Sequence, residues 1–345
     1  MTPTLLALAQ VVLSPQLAAA TDPAQLPAAR VAVDTRRGEI VIDLPPIDLP
    51  AHTGHHGGGG GFPPVVKAVI PVEASLYGFQ VQVVDAQGRQ LPGELIHHFN
   101  LIDPNHRELF LPISRRLLAA GKETGAQRLP KLFFGMPVQA GELVVASAML
   151  HNPTETDYRQ VRTRLVLQYI PGAKWYPIFE GYPFQLDVAF PVGDKSFPLP
   201  PGKSSRSYEG SPSIPGKIVG IGGHMHEMGT KIELSEVETG KVIWAAQPVL
   251  DESKNVVGVP VAKLYGWFRL GVPIRPDRKY RVTVYYDNPT GQVVEAGGMG
   301  VIGGLFLPDR GATWPVADKS NSLYLLDAEH YLRSKAPPQE RIHEH

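Results

Sequence analysis

The chain has 345 residues, enough for two domains of roughly 150 residues each. Gly 35 and Pro 34 together make one residue in five, which excludes a helical bundle, and 33 basic against 33 acidic side chains leave no electrostatic footprint for nucleic acid. With Cys 0, disulfides, thiolate metal sites and a thiol nucleophile are excluded, so any metal must rest on His, Met or carboxylate.

Residues 1–27 read as a leader or signal-like segment. Thr4 to Ala20 carries a short apolar run ending in small residues, as a secretory h-region with its cleavage site does, although no Lys or Arg precedes Arg30. Gln10, Ser14, Pro15 and Gln16 interrupt it too often for a membrane span, and no other stretch is a candidate. A secreted or periplasmic location is therefore expected.

Strand-length segments that alternate or are rich in β-branched residues follow: Glu39 to Leu44, Val65 to Ile70, Tyr77 to Asp85, Glu94 to Leu101, Leu143 to Leu150 and Val161 to Tyr169. Turn signals such as Pro92-Gly93 and Ala140-Gly141 separate them at the spacing of antiparallel sandwiches. Gly57 to Gly61 marks a flexible loop, since no strand and helix bracket it as a phosphate cradle requires. Ser114 to Ala120, led by a Ser cap, predicts the one helix. Beyond the Pro- and Gly-rich passage from Phe190 to Pro215 a second series begins, with Lys217 to Ile221, Lys231 to Glu236, Val242 to Ala246, Arg281 to Tyr286 and Met299 to Phe306. The expected organisation is a β-sandwich over 28–185, a second over 186–333 and a loose polar tail over 334–345.

Twelve histidines cluster unevenly. In His224-Met225-His226 the imidazoles stand at i and i+2, so on a strand both leave one face and can grip one ion, while Met225 turns into packing. Two ordinary surface histidines fit the same spacing. Adjacent His97-His98 point to opposite faces of a regular strand, so both reach one ion only at a bulge or a strand end. One of them buried and hydrogen-bonded is the plain alternative.

The order of these elements resembles the ascorbate-dependent type II copper monooxygenases, the family of peptidylglycine and dopamine beta-monooxygenases. Leu95-Ile-His97-His98-Phe-Asn-Leu is similar to its paired-histidine strand, Leu143 to Pro153 to its third-histidine strand, Gly223-His224-Met-His226-Glu-Met-Gly-Thr-Lys-Ile to its HxH hairpin, and Tyr285 to Gly304 to its last metal segment. The resemblance spans about residues 31 to 330. It implies an all-β fold of two tandem antiparallel jelly rolls, each with one copper, so two ions in all. It further implies hydroxylation of a C–H bond in a small-molecule or peptide substrate with dioxygen and a reductant such as ascorbate. Carried over, His97, His98 and His151 hold the electron-transfer copper, and His224 and His226 with a methionine hold the catalytic one.

Three departures from the family pattern leave alternatives open. The family's third histidine aligns with Met149, so the ligand is Met149, His151 two residues on, or a side chain of the His52-Thr-Gly-His55-His56 loop. Its methionine aligns with Gly304 or Leu305, which do not bind copper; Met299 is the nearest substitute, and Met228 is another. Its carboxylate-anchoring arginine is Gly222 here, which disfavours a glycine-extended peptide. A noncatalytic copper carrier on the same fold is the alternative. So is a binding module with Trp175, Tyr176, Tyr265 and Trp267 as an aromatic platform.

Overall fold

The computed structural model describes residues 22–52, 61–122, 124–172, 174–190, 195–252 and 255–333. Among the described residues strand accounts for 55% and helix for 6%, so the fold is all-β and built mainly of antiparallel sheets, as the alternating segments require. The first half contributes β1 (Arg30–Asp34), β2 (Glu39–Asp43), β3 (Val66–Val69), β4 (Ala74–Val84), β5 (Ile96–Arg107), β6 (Ser114–Ala120), β7 (Phe134–Val138), β8 (Leu143–Leu150) and β9 (Tyr158–Pro171). One sheet runs β1-β2-β9-β4-β7 and the other β3-β8-β5-β6. Their inward residues, among them Ile40, Ile42, Phe99, Leu101, Ala146 and Leu165, form one core.

β6 corrects the helix expected over Ser114 to Ala120. It pairs antiparallel with β5, Leu101 facing Leu118 and Phe99 facing Ala120. Ser114 caps nothing; its hydroxyl lies 3.4 Å from that of Tyr331. Burial of Leu117 and Leu118 against β5 outweighs a helix propensity of a few tenths of a kcal/mol per residue, roughly.

The second half adds β10 (Tyr182–Asp187), β11 (Gly202–Gly210), β12 (Gly216–Met225), β13 (Gly229–Glu236), β14 (Val242–Ala246), β15 (Tyr280–Asn288), β16 (Val294–Gly298) and β17 (Gly300–Pro308). Here β10-β17-β12 and β11-β15-β13-β14 enclose a second core. The chain therefore enters the second set of sheets at Tyr182, and Leu109 to Ile113 of the first half also pack into the second core. The one α-helix among the described residues, α1 (Ser322–Arg333), returns to the first half, where Tyr324, Ala328 and Tyr331 meet Val65, Ile102 and Val145. Residues 22–27 also lie on this half: Leu26 packs beside α1, and Lys67 N–H donates to Pro27 O at 2.9 Å. The remainder of the leader and the 334–345 tail lie outside the described residues.

Two loops of the halves are built alike. Asn152 Nδ2 donates to the carbonyls of Leu49, Pro50 and Thr156, while its Oδ1 accepts from the N–H and hydroxyl of Thr154. Asn288 repeats this with Leu199, Pro200, Gln292 and Thr290. Each half therefore closes a Leu-Pro turn with an Asn-Pro-Thr clasp, and buried Asn supplies the partners that turn carbonyls need away from water.

Between the halves sits a fully buried carboxylate. Glu108 accepts the N–H of Arg116 at 2.7 Å and those of Leu109 and Gln185 at 3.3 Å, Gln185 lying on β10. Burial pushes its carboxyl up to about 7 despite these donors and the Arg116 charge. Because the folded value is raised, the stability Glu108 contributes is fully present below about pH 4.5 and is lost as pH rises through about 7. Glu108→Gln is expected to flatten that part of the profile: relative to the variant, the wild-type urea midpoint should fall between pH 5 and 8. Parallel midpoints would contradict a buried, titrating Glu108.

Candidate metal centres

The first group of imidazoles is made by a bulge. Met149 faces His98 across β8 and β5, but Leu150 faces Ile96, so His97 is the extra residue on β5. Ile96 and Phe99 stay in the core on either side. The bulge turns both histidines the same way, with ring centroids 4.0 Å apart, as the adjacent pair requires if it is to share one ion. Just past β8, His151 N–H donates to Leu95 O at 2.9 Å, and its ring centroid lies 6.5 Å from that of His97. A ring nitrogen binds a metal at about 2 Å, so two rings on one ion have centroids on the order of 4–6 Å apart. The His97–His98 spacing falls at the lower end of that range, and His97–His151 lies about half an ångström beyond it.

Met149, half-buried and directly across from His98, shares that face. Asn152, next to His151, holds the loop behind it. His52 is exposed, and its Nε2 lies 2.7 Å from the Glu155 carboxylate. His55 and His56 lie outside the described residues, whose flanks are fixed beside this group: His52 N–H donates to Thr154 O and Gly61 pairs with Leu150.

The second group sits at the end of β12. His224 and His226 leave one face with centroids 5.6 Å apart, and Met225 is buried in the core between them. Beyond them the chain turns, Gly229 N–H donating to His226 O at 3.2 Å. A Cβ on Gly229 would stand 2.4 Å from Met225 Sδ, so only glycine fits. Met228 sits in that turn at φ +66°, packed against the second core.

Cross-strand register places Met299. His224 faces Val301 and Met225 faces Gly300, so Met299 follows as the neighbour of His226. The Tyr286 phenol confirms the alignment: its oxygen accepts from Met299 N–H at 2.8 Å and from His226 N–H at 3.2 Å, and its hydroxyl donates to Met299 O. The Met299 backbone therefore lies beside that of His226. Leu305, in contrast, faces Gly220, on the order of 13 Å along the strand from His224, and packs with Phe134, Val219 and Leu307. Gly304 is held to glycine because a Cβ there would meet Gly220 O at 2.0 Å. Gly222, in line with His224, has the Val261 side chain 3.0 Å from its missing Cβ.

Burial pushes the Tyr286 phenol up to about 12, so it stays a donor at every working pH. Tyr286→Phe would leave two N–H groups and a carbonyl short of a partner, which costs about 1–3 kcal/mol. The expected result is a lower Tm. Thermal unfolding of the variant beside the wild type would check it, and an unchanged Tm would count against it.

A third cluster, Asp103, His106 and Glu142, also brings ligand atoms together. Asp103 is already committed: Oδ2 lies 2.7 Å from His106 Nδ1 and accepts from Arg115 Nη2 at 2.7 Å, and Oδ1 accepts Asn105 N–H at 2.8 Å. Burial would raise its carboxyl, but the His106 hydrogen bond and the Arg115 charge hold it below the usual range. The Arg115 guanidinium fills the place a cation would take. Of the proposed aromatic platform, Trp175 and Trp267 are exposed, Tyr176 is half-buried, and Tyr265 turns its ring onto Phe134 at 4.9 Å. Sequence reasoning missed Tyr286, Asn152 and Asn288; the repeated Asn-Pro-Thr after Leu-Pro was the available signal for the last two.

Neither a protein-family model nor a curated protein matches the chain. Among solved structures, PNGF-II is similar at 9% identity and TM-score 0.38, covering 79% of this chain and 66% of that one, just under two thirds of its length. Infectious bursal disease virus Gx strain follows at 12% identity and TM-score 0.20, with 90% and 80% covered. A putative secreted protein from Parabacteroides distasonis stands at 10% identity and TM-score 0.17, with 84% and 94% covered. Matches this remote say nothing of chemistry.

Proposed function

We propose that the chain is a two-copper redox protein of the monooxygenase type, exported to an extracellular or periplasmic space. The observation that carries this reading is the gathering of imidazoles into two groups on two different sheets, His97 and His98 with His151 from a distant segment, and His224 with His226 across from the Met299 backbone. Imidazole suits both oxidation states of copper, and a thioether favours Cu(I), so the donor sets fit this metal. Bound copper would supply one-electron exchange between a reductant such as ascorbate and dioxygen, so that a C–H bond, O2, two electrons and two protons give an alcohol and water.

The chain's own residues set the frame for that chemistry. The bulge at His97 aims two rings one way, and Tyr286 holds the backbones of His226 and Met299 together. With glycine at 222 and the Val261 methyl group against it, no cation stands at that position to anchor a substrate carboxylate, so an uncharged small molecule or peptide segment is the better substrate. Copper loading of the purified chain should reach two equivalents, and the loaded protein should take up dioxygen with ascorbate. One equivalent without oxygen uptake would instead identify a copper carrier, and none would end the reading.

A further inference from the structure

We infer that the hairpin tip Trp267-Phe268, with the loops beside its base, is a docking surface for an anionic phospholipid membrane. The two tip residues are 99% and 104% exposed, joining two short strands, Tyr265–Gly266 and Arg269–Leu270. A folded chain gains nothing from holding two adjacent aromatics wholly in water. The base is fixed: the Tyr265 ring packs on Phe134, Leu264 N–H donates to Val219 O at 2.8 Å, and Gly271 N–H to Leu264 O at 3.0 Å. The tip is therefore presented on a rigid stem.

Phe134 connects this stem to a second exposed apolar region. Its ring stacks on Phe179 at 5.8 Å, and the flanking loops are joined by Ile178 N–H to Leu132 O at 3.1 Å and Phe179 N–H to Phe133 O at 2.8 Å. Leu132, Phe133 and Ile178 are half exposed there and Trp175 is 78% exposed.

Charge selects the occupant. Across residues 126–134, 174–180 and 261–271 the charged side chains are Arg128, Lys131, Lys174, Lys263 and Arg269 against the single acid Glu180, all exposed, an excess of basic charge in a chain whose net charge is +0. Aromatic tips flanked by Lys and Arg match a bilayer interface, where Trp and Phe enter at headgroup depth and cations meet anionic lipid. A convex two-residue tip offers a protein partner far less than the roughly 800 Å² per side of a stable interface. This attachment lies on the surface and needs no spanning segment; among the described residues no helix is long and apolar enough to cross a membrane.

The test is co-sedimentation of the full chain with vesicles of phosphatidylcholine alone and of phosphatidylcholine mixed with phosphatidylserine. The wild type should bind the mixed vesicles, more weakly as salt rises, with a blue shift in Trp fluorescence. Trp267→Ser with Phe268→Ser should weaken binding roughly tenfold or more at unchanged Tm, because these side chains support nothing in the fold. Lys263→Gln with Arg269→Gln should remove the preference for phosphatidylserine. Absence of binding to the mixed vesicles, or binding that the tip variant leaves intact, would overturn the inference and turn attention to a protein partner. Copper content plays no part in the readout, so the result stands apart from the redox reading.

Discussion

Replacing His224 and His226 together with alanine is expected to lower copper uptake at saturation from two equivalents per chain to one and to abolish ascorbate-dependent oxygen uptake. Loss of two ligands should weaken binding by more than the roughly 10–100-fold that loss of an outer hydrogen-bond partner costs. The residual equivalent should remain at its wild-type affinity, because His97 and His98 on β5 and His151 just past β8 lie in a different sheet from β12, which pairs with β17. The mirror variant, His97→Ala with His98→Ala, should keep one equivalent and lose sustained turnover. Both His224 and His226 lie at a strand end outside the second core, so the fold should survive their loss. Two equivalents retained in the first variant would discard the second-half site.

Asp327→Ala is expected to be the most damaging single change to stability. Its carboxylate takes both ends of the Arg116 guanidinium at 2.6 Å, and the two side chains are only 7% and 12% exposed. Removing one partner of such a pair leaves a charge in low dielectric and costs about 3–5 kcal/mol. For a chain of this size that is a fall in Tm of about 4–7 °C. Asp327→Leu combined with Arg116→Met should recover most of it, since apolar isosteres avoid the desolvation cost. An alanine variant within about 1 kcal/mol of wild type would show that water reaches the pair.

What was legible in the sequence follows the range of the interactions concerned. Leu143–Leu150 and Val242–Ala246 were placed to the residue because each is a short apolar run bounded by turn residues, a signal that is local. Ser114–Ala120 was misread because its Leu-Leu-Ala-Ala run gains its preference from β5, a partner the local pattern does not name. Likewise, α1 was missed because its apolar side answers to Ile102 and Val145, far back in the chain.

In the candidate centres, spacing sufficed for His224 and His226, since i and i+2 on a strand always share a face. For His97 and His98 it gave only a condition, a bulge, which the step between Met149 and Leu150 meets. The place of Met299 was illegible. It depends on the register between β12 and β17, and a shift of one residue would turn its side chain to the other face. Tyr286 gave no sign at all, because an ordinary core tyrosine looks the same until its hydroxyl is found between two strands.

The return of α1 to the first half carries a consequence for synthesis. The partner that neutralises Arg116 emerges from the ribosome 211 positions later, after the whole second sandwich has been translated. Until then the nascent first half carries Arg116 without its carboxylate partner and an uncovered apolar face at Ile102 and Val145. Its maturation must await the rest of the polypeptide, and a chaperone that shields that face in the interval would be its natural escort.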